Sequence, residues 1–213
     1  MSPLDAYGLR RPGKIRADLQ IIADMIEAGS RVLDVGCGDG ALLDHLVHRK
    51  QVAGRGIELS QAGVNACVTQ GLSVIQGDAD TDLADFPCDA FDYVILSQTL
   101  QAVHDPRRVL EQLVRIGHHA IVSFPNFGFW QVRLRLFLTG RMPITDALPE
   151  SWHESPNIHP CTIRDFRALC DKTGVVVERA LALDDRGCPK TANGLWLANL
   201  TGEHGMFLLR RKR

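Results

Sequence analysis

A short apolar run that breaks into alternating glycines, Arg31-Val32-Leu33-Asp34-Val35-Gly36-Cys37-Gly38-Asp39-Gly40, constrains this chain more than any other stretch. Val32, Leu33 and Val35 are β-formers in the kind of run that is buried in a parallel sheet. Gly36, Gly38 and Gly40 then remove side chains where the backbone must turn sharply, so a ligand can approach the bare backbone. The residues that follow, Ala41-Leu42-Leu43-Asp44-His45-Leu46-Val47, have helical apolar spacing, and free N–H groups in the first turn point at whatever occupies the turn. The stretch reads as strand, small-molecule cradle and helix.

The flanking carboxylates narrow the ligand. Gly36-x-Gly38-x-x-Ala41 also satisfies the loose dinucleotide fingerprint, with Glu58 lying 20 residues beyond Gly38. Asp34, at the strand end, can accept hydrogen bonds from a cationic amino group but repels a pyrophosphate. Glu58 closes a second apolar strand over residues 52–57, where a carboxylate can take both hydroxyls of a ribose. An ammonium, a ribose and no phosphate describe S-adenosylmethionine, or its product S-adenosylhomocysteine. These residues resemble the first motifs of class I S-adenosylmethionine-dependent methyltransferases. The expected cofactor set is Asp34, Val35, Gly36, Cys37, Gly38, Glu58, Leu59, Asp78, Ala79 and Ser97.

Length and charge exclude several classes. The 213 residues, 45% apolar, suit one α/β domain with a sizeable core. Lys and Arg total 24 against 25 Asp and Glu, a net charge of −1 that disfavours a nucleic-acid partner. No secretory pattern is present, and no apolar stretch approaches the roughly 20 residues that span a bilayer, so a cytoplasmic location is expected. Cys37, Cys67, Cys88, Cys161, Cys170 and Cys188 form no C-x-x-C pair, which points to buried free thiols rather than a metal site or disulfides.

Along the chain, residues 1–14 form a tail or flap, with Tyr7, Arg10 and Arg11, ahead of a helix over 15–27. Ile15, Leu19, Ile22, Met25 and Ile26 give that helix its buried face, and Gly29 is its expected C-cap. After Glu58, Ser60 caps a helix running to about Gln70. A strand over 72–76 leads to Asp78, placed to partner an adenine amino group, and an acidic, solvated loop follows over 79–85. Phe91 to Ser97 is the fourth strand. His104-Asp105-Pro106 opens the next helix, with Asp105 as N-cap and Pro106 at the first helical position; His104 is a lesser catalytic candidate. Val109, Leu110, Leu113 and Ile116 are its buried face, and residues 120–124 make the fifth strand. Five strands with four intervening helices give a doubly wound sheet.

Residues 125–161 are an insert or lid. Its segment 127–138 is too apolar for a solvated helix and requires a cover, for which the chain's own core, a membrane surface or a protein partner is available. Thr162-Ile163-Arg164-Asp165 is a capping box opening a helix through Cys170. Residues 175–183 and 205–209 form an antiparallel hairpin that completes a seven-stranded, mostly parallel Rossmann-like sheet with helices on both faces, a hallmark of class I methyltransferases.

Four stretches resemble the MetW family of methionine biosynthesis proteins: Asp18-Leu19-Gln20-Ile21-Ile22, Val32 to Gly40, Val122-Ser123-Phe124-Pro125-Asn126-Phe127, and 152–166 with its Ser155-Pro156-Asn157-Ile158-His159. The resemblance implies a methyltransferase-like protein that works with the homoserine O-acyltransferase MetX and is needed for acylation of homoserine. Two readings follow. One is an S-adenosylmethionine-binding subunit that activates or regulates the acyltransferase. The other is an active methyltransferase on a small molecule, with Asn126, Trp152, Asn157 and His159 as acceptor-side candidates. A dinucleotide oxidoreductase lacks the substrate domain it requires, and Asp34 opposes it.

Overall fold

The computed structural model describes residues 15–145, 147–190 and 194–212. The expected flap, with Tyr7, Arg10 and Arg11, lies outside the described residues. Seven strands form one sheet in the order β3-β2-β1-β4-β5-β7-β6. In chain order the elements are α1 (Ala17–Met25), β1 (Arg31–Val35), α2 (Ala41–Lys50), β2 (Ala53–Glu58), α3 (Gln61–Thr69), β3 (Val74–Gln76), β4 (Phe91–Ser97), α4 (Pro106–Ile116) and β5 (Gly117–Pro125), followed by α5 (Trp130–Thr139), α6 (Ile163–Thr173), β6 (Val176–Leu183), α7 (Leu195–Thr201) and β7 (His204–Arg210). β1 to β5 run parallel, and β7 pairs antiparallel with both β5 and β6. The chain winds outward through β2 and β3, then returns to the other side of β1 through β4 and β5. The carboxyl ends of β1 and β4 therefore flank the point where the strand order reverses, which is where ligands bind in open α/β sheets.

Burial on both faces explains the unbroken apolar strands. Leu33, Val35, Val94, Leu96, Val122 and Phe124 point to one side, against Leu110 and Leu113 of α4 and Phe166 of α6. Val32, Ile95 and Ile121 point to the other, against Ile22 and Ile26 and against Leu42 and Leu46 of α2. Phe124, Phe166 and Phe207 meet with ring centroids 4.7–5.8 Å apart and fasten the antiparallel strands to the parallel set.

Several expectations need correction. Helix α1 stops at Met25, and Gly29 is not its cap: Lys50 donates its ammonium to the carbonyls of Ala23 and Ile26, while Gly29, at φ +76°, turns the chain into β1. No α-helix joins β3 to β4. The acidic stretch instead winds into a short 3-10 turn, Asp82–Asp85, with Leu83 in the core. It is not merely solvated, because Asp80 accepts from the N–H groups of His104 and Asp105, and Arg115 donates to the carbonyls of Leu83 and Phe86. Helix α7, between the hairpin strands, has no counterpart in the sequence reading. Cys37, Cys67 and Cys170 are buried, but Cys88 and Cys188 are exposed.

The largest departure concerns α5. Phe129 and Val132 pack with Leu148 and Phe127, but Phe137 is 85% exposed and Leu138 69%. Among the described residues, the chain's own core covers the inner side of this helix and leaves the outer side open. Its entry is nevertheless rigid. Asn126, 2% exposed, donates to the carbonyls of Asn199 (2.8 Å) and Gly202 (2.7 Å) and accepts from the N–H groups of Gly128 (2.9 Å) and Ile163 (3.2 Å). One buried amide thus ties β5, α5, α6 and α7. Asn126→Ala leaves those backbone groups unpaired and is expected to cost at least about 3 kcal/mol, read as a lower urea midpoint with an unchanged slope.

Candidate functional site

Gly36, Gly38 and Gly40 all adopt left-handed backbone, at φ +72°, +57° and +78°. At Gly36 the need is also steric: a Cβ there would lie 2.6 Å from Thr99 Oγ1, on the loop leaving β4. The N–H groups of Gly36 and Cys37 donate to the Ile57 carbonyl (2.8 and 3.2 Å), which draws the turn against the end of β2. Glu58 then locks it. One carboxylate oxygen accepts from Gly38 N–H and the other from Ser60 N–H, each at 2.9 Å, so the acidic group joins the glycine turn to the start of α3. A carboxylate oxygen can accept more than one hydrogen bond, and Glu58 keeps that capacity.

Asp34 sits on the last buried position of β1 facing α1 and α2, and is 2% exposed. No donor among the described residues lies within hydrogen-bonding distance of its carboxylate. Burial, reinforced by the Glu58 carboxylate, pushes its pKa up to about 7. Val35, beside it, points to the opposite core. The Cys37 side chain turns away from the cradle, against Gly56 and 3.9 Å from Cys67 Sγ, so only its backbone faces the turn. Burial pushes the Cys37 thiol well up, with Asp34 adding to it.

The remaining expected residues line the same carboxyl edge. Leu59 is exposed directly after Glu58. Asp78 accepts from Asp80 N–H at 2.9 Å in a local turn, and Ala79 rests on the main core. Ser97 Oγ meets Ser123 Oγ at 3.1 Å across β4 and β5. The acceptor-side candidates separate. Asn126 spends its donors and acceptors on backbone, as described above. Trp152 is exposed, its ring edge-on to His153 at 5.5 Å. Asn157 N–H donates to Ser155 Oγ at 3.2 Å. His159 is exposed, and its ring Nε2 donates to the His104 carbonyl at 3.1 Å, while the N–H groups of Ile158 and His159 both donate to the Gln101 carbonyl at 2.9 Å. The loop over 155–160 is therefore pinned onto the segment that follows β4.

One residue at this edge, His204, escaped the sequence reading, and it meets Gln98. Gln98 follows β4 at φ +56°, a left-handed conformation rare for a side-chain-bearing residue, and its amide meets His204 Nδ1 at 3.3 Å. Both line a cleft of about 510 Å³, with the Arg16–Asp18 ion pair at its wall. Burial holds His204 below its ordinary pKa, leaving a neutral imidazole at pH 7. His204 carried no local signal: it reaches this edge only because β7 runs antiparallel and starts opposite Pro125. A larger cleft, about 1100 Å³, opens at the amino-terminal ends of β1, β4 and β5, remote from the glycine turn, and its Asp92 is paired with Arg31 at 2.8 Å. Among the described residues, no group of three or more His, Cys, Asp or Glu side chains is placed to hold a metal ion. None of the described helices is long and apolar enough to cross a membrane.

The fold recurs in solved proteins. The chain superposes with TM-score 0.68 on the structure of a Haloferax volcanii Trm112 methyltransferase activator in complex with a putative methyltransferase, at 18% identity over 92% of this chain and 90% of the other. An S-adenosylmethionine-dependent methyltransferase from Mesorhizobium loti matches with TM-score 0.67 at 19% identity, over 92% of this chain and 98% of the other. So does the [4+2]-cyclase SpnF, with TM-score 0.64 at 17% identity over 91% and 80%. The architecture is thus the Rossmann-like class I methyltransferase fold. Among curated proteins, the bifunctional methionine biosynthesis protein MetXA/MetW of Rhodopirellula baltica is 38% identical over 183 residues, 81% of this chain but 29% of that relative's length. A ubiquinone biosynthesis O-methyltransferase of Coxiella burnetii is 26% identical over 69% of this chain and 67% of its own. The family model described as methionine biosynthesis protein MetW matches residues 16–209. The chain belongs to the MetW family of methionine biosynthesis proteins.

Proposed function

We propose that this MetW-family chain binds S-adenosylmethionine, or its product S-adenosylhomocysteine, in the turn after β1 and acts with the homoserine O-acyltransferase MetX. Asp34 carries the first half of the reading. A buried carboxylate with no donor among the described residues, facing a second carboxylate, is unfavourable as it stands, and a cationic ammonium group is the partner that relieves it. A pyrophosphate would add negative charge beside Asp34 and Glu58, which argues against a dinucleotide. In this reading Asp34 accepts from the ammonium, and the backbone of Gly36, Cys37 and Gly38 lies along the ligand. Glu58 turns its remaining acceptor capacity to the ribose hydroxyls, Leu59 offers an apolar face to the adenine with Asp78 and Ala79 at its edge, and Ser97 lies toward the sulfur.

Support for the second half comes from the Rhodopirellula relative, whose single chain carries both names, MetXA and MetW. Fusion holds two domains at high effective concentration, as suits proteins that work together. A coupling of about 1–3 kcal/mol between the ligand and the partner would make the pair a switch. The second reading, methyl transfer to a small molecule, is favoured by the cleft at Gln98 and His204 on the same edge. When bound, the sulfonium supplies an electrophilic methyl group; His204, neutral and half-enclosed, is then the side chain available to orient the acceptor or take its proton. Kinship in fold does not decide between the two, since a [4+2]-cyclase shares it.

Calorimetric titration with S-adenosylmethionine and S-adenosylhomocysteine, alone and with MetX, tests the proposal. Affinity that changes on adding MetX supports the regulatory pairing, affinity indifferent to it favours the methyltransferase, and no binding of either ligand removes both. Glu58→Ala is expected to weaken the ligand about 10- to 100-fold, from the loss of about 1.5–3 kcal/mol per charge-assisted hydrogen bond. Asp34 adds a pH signature. Its folded pKa of about 7 lies above the ordinary 3.8, so the folded state holds an extra proton between those values and stability falls as pH rises through that window. Relative to wild type, Asp34→Asn is expected to flatten the decline in thermal midpoint between about pH 4 and 7 and to remove the gain in ligand affinity with rising pH. A wild-type midpoint that tracks the variant across the window would contradict the assignment.

A further inference from the structure

Helix α5 is amphipathic in the wrong sense for an isolated domain. Phe129 and Val132 face the protein, but Trp130, Leu134, Phe137 and Leu138, spaced i, i+4, i+7 and i+8, form an apolar stripe on the exposed side. The surface extends beyond the helix. Met142 and Ile144 are exposed on the segment held to α5 by the Arg135 guanidinium, which donates to the Ile144 carbonyl. Trp196 of α7, the helix whose Asn199 carbonyl accepts from Asn126 at the base of α5, is exposed as well. An exposed apolar stripe that includes aromatic residues is the signature of a protein interface.

The charges around it are of both signs: Arg133, Arg135 and Arg141 are exposed on and just beyond α5, with Glu150 and Glu154 further along the segment. Arg133 donates to the Gly128 carbonyl (2.6 Å) and Lys190 to the Thr201 carbonyl (2.9 Å), bonds that fix these cations in place without neutralising them. An apolar, aromatic centre with arginines beside it has the composition of a protein interface. The Rhodopirellula relative points to the occupant, since its single chain carries both the MetXA and the MetW name and so holds the two parts where such a face can be covered.

We propose that this α5–α7 face is the docking surface for the MetX acyltransferase, an inference that rests on the pairing proposed above. The face also adjoins the ligand edge. Residue Asn126 opens the loop into α5 directly after Ser123 to Pro125 of β5, and Ser123 Oγ contacts Ser97 at the cradle's border. Docking on α5 therefore sits one short loop from the carboxyl ends of β4 and β5, close enough for ligand and partner to influence each other.

The test uses the whole chain and purified MetX, with association measured by calorimetry and light scattering. Leu134→Asp/Phe137→Asp, at exposed positions, is expected to weaken MetX binding about tenfold or more while leaving the circular dichroism spectrum and S-adenosylmethionine affinity unchanged. Val68→Asp, at an exposed apolar position on α3, is expected to bind MetX like wild type. Should the double variant fail to fold, Trp196→Glu is held to the same criterion. If wild type binds MetX and the folded α5 variant binds equally well, this surface is wrong and the pairing stands. If wild type does not bind MetX at all, the pairing fails and the surface with it. Wild-type dimers split by the variant, or wild-type binding to phosphatidylglycerol vesicles lost in it, would assign the face to a second copy or to lipid and overturn the proposal.

Discussion

The structure turns on the hydrogen bonds that Glu58 makes to Gly38 and Ser60. A turn built on three left-handed glycines has little conformational preference of its own, and its backbone entropy must be removed by something outside it. One carboxylate does so by accepting from both sides of the gap between the turn and α3. The same group bears on the electrostatics, since burial first, and then the Glu58 charge, makes Asp34 reluctant to ionise. One carboxylate thus contributes both to the rigidity of the cradle and to the charge within it.

A second buried polar hub organises the opposite half of the edge. Asn126 converts the end of β5 into a junction from which α5, α6 and α7 all depart with their backbone groups satisfied. Burying such a group is costly unless every hydrogen bond is made, and here each is made to main chain, so the junction holds regardless of neighbouring side chains. That stiffness lets α5 stand proud of the core with an apolar side in water. The helix is fixed at its base and at the Phe129–Val132 contacts, while its outer stripe stays exposed.

Much of the site was legible because its signals are local. Three alternating glycines after Val35 can only be a turn, and Asp34 and Glu58 stand out as carboxylates at the ends of apolar strands. Asp105 with Pro106, and Thr162 with Asp165, carry their capping chemistry within four residues, and both helices begin where that chemistry dictates. Glu58 nonetheless does more than its position suggested, because its bonds to Gly38 and Ser60 depend on two strands lying side by side. Asn126 was read as an acceptor-side candidate because a polar residue after a strand invites that role. Its actual partners at Asn199 and Gly202 are far away in sequence, beyond the reach of any local pattern.

The amino-acid sequence by itself determined the alternation of strand and helix, the cradle and the family, because periodicity, glycine placement and capping act over a few residues. Only the tertiary structure decided which groups meet. It put Gln98 against His204, paired Ser97 with Ser123, pinned His159 to the His104 carbonyl, and left the stripe of α5 uncovered. The reason is physical: an apolar residue records that it should be buried, but not by what, and contact between distant segments is set by how the sheet orders its strands.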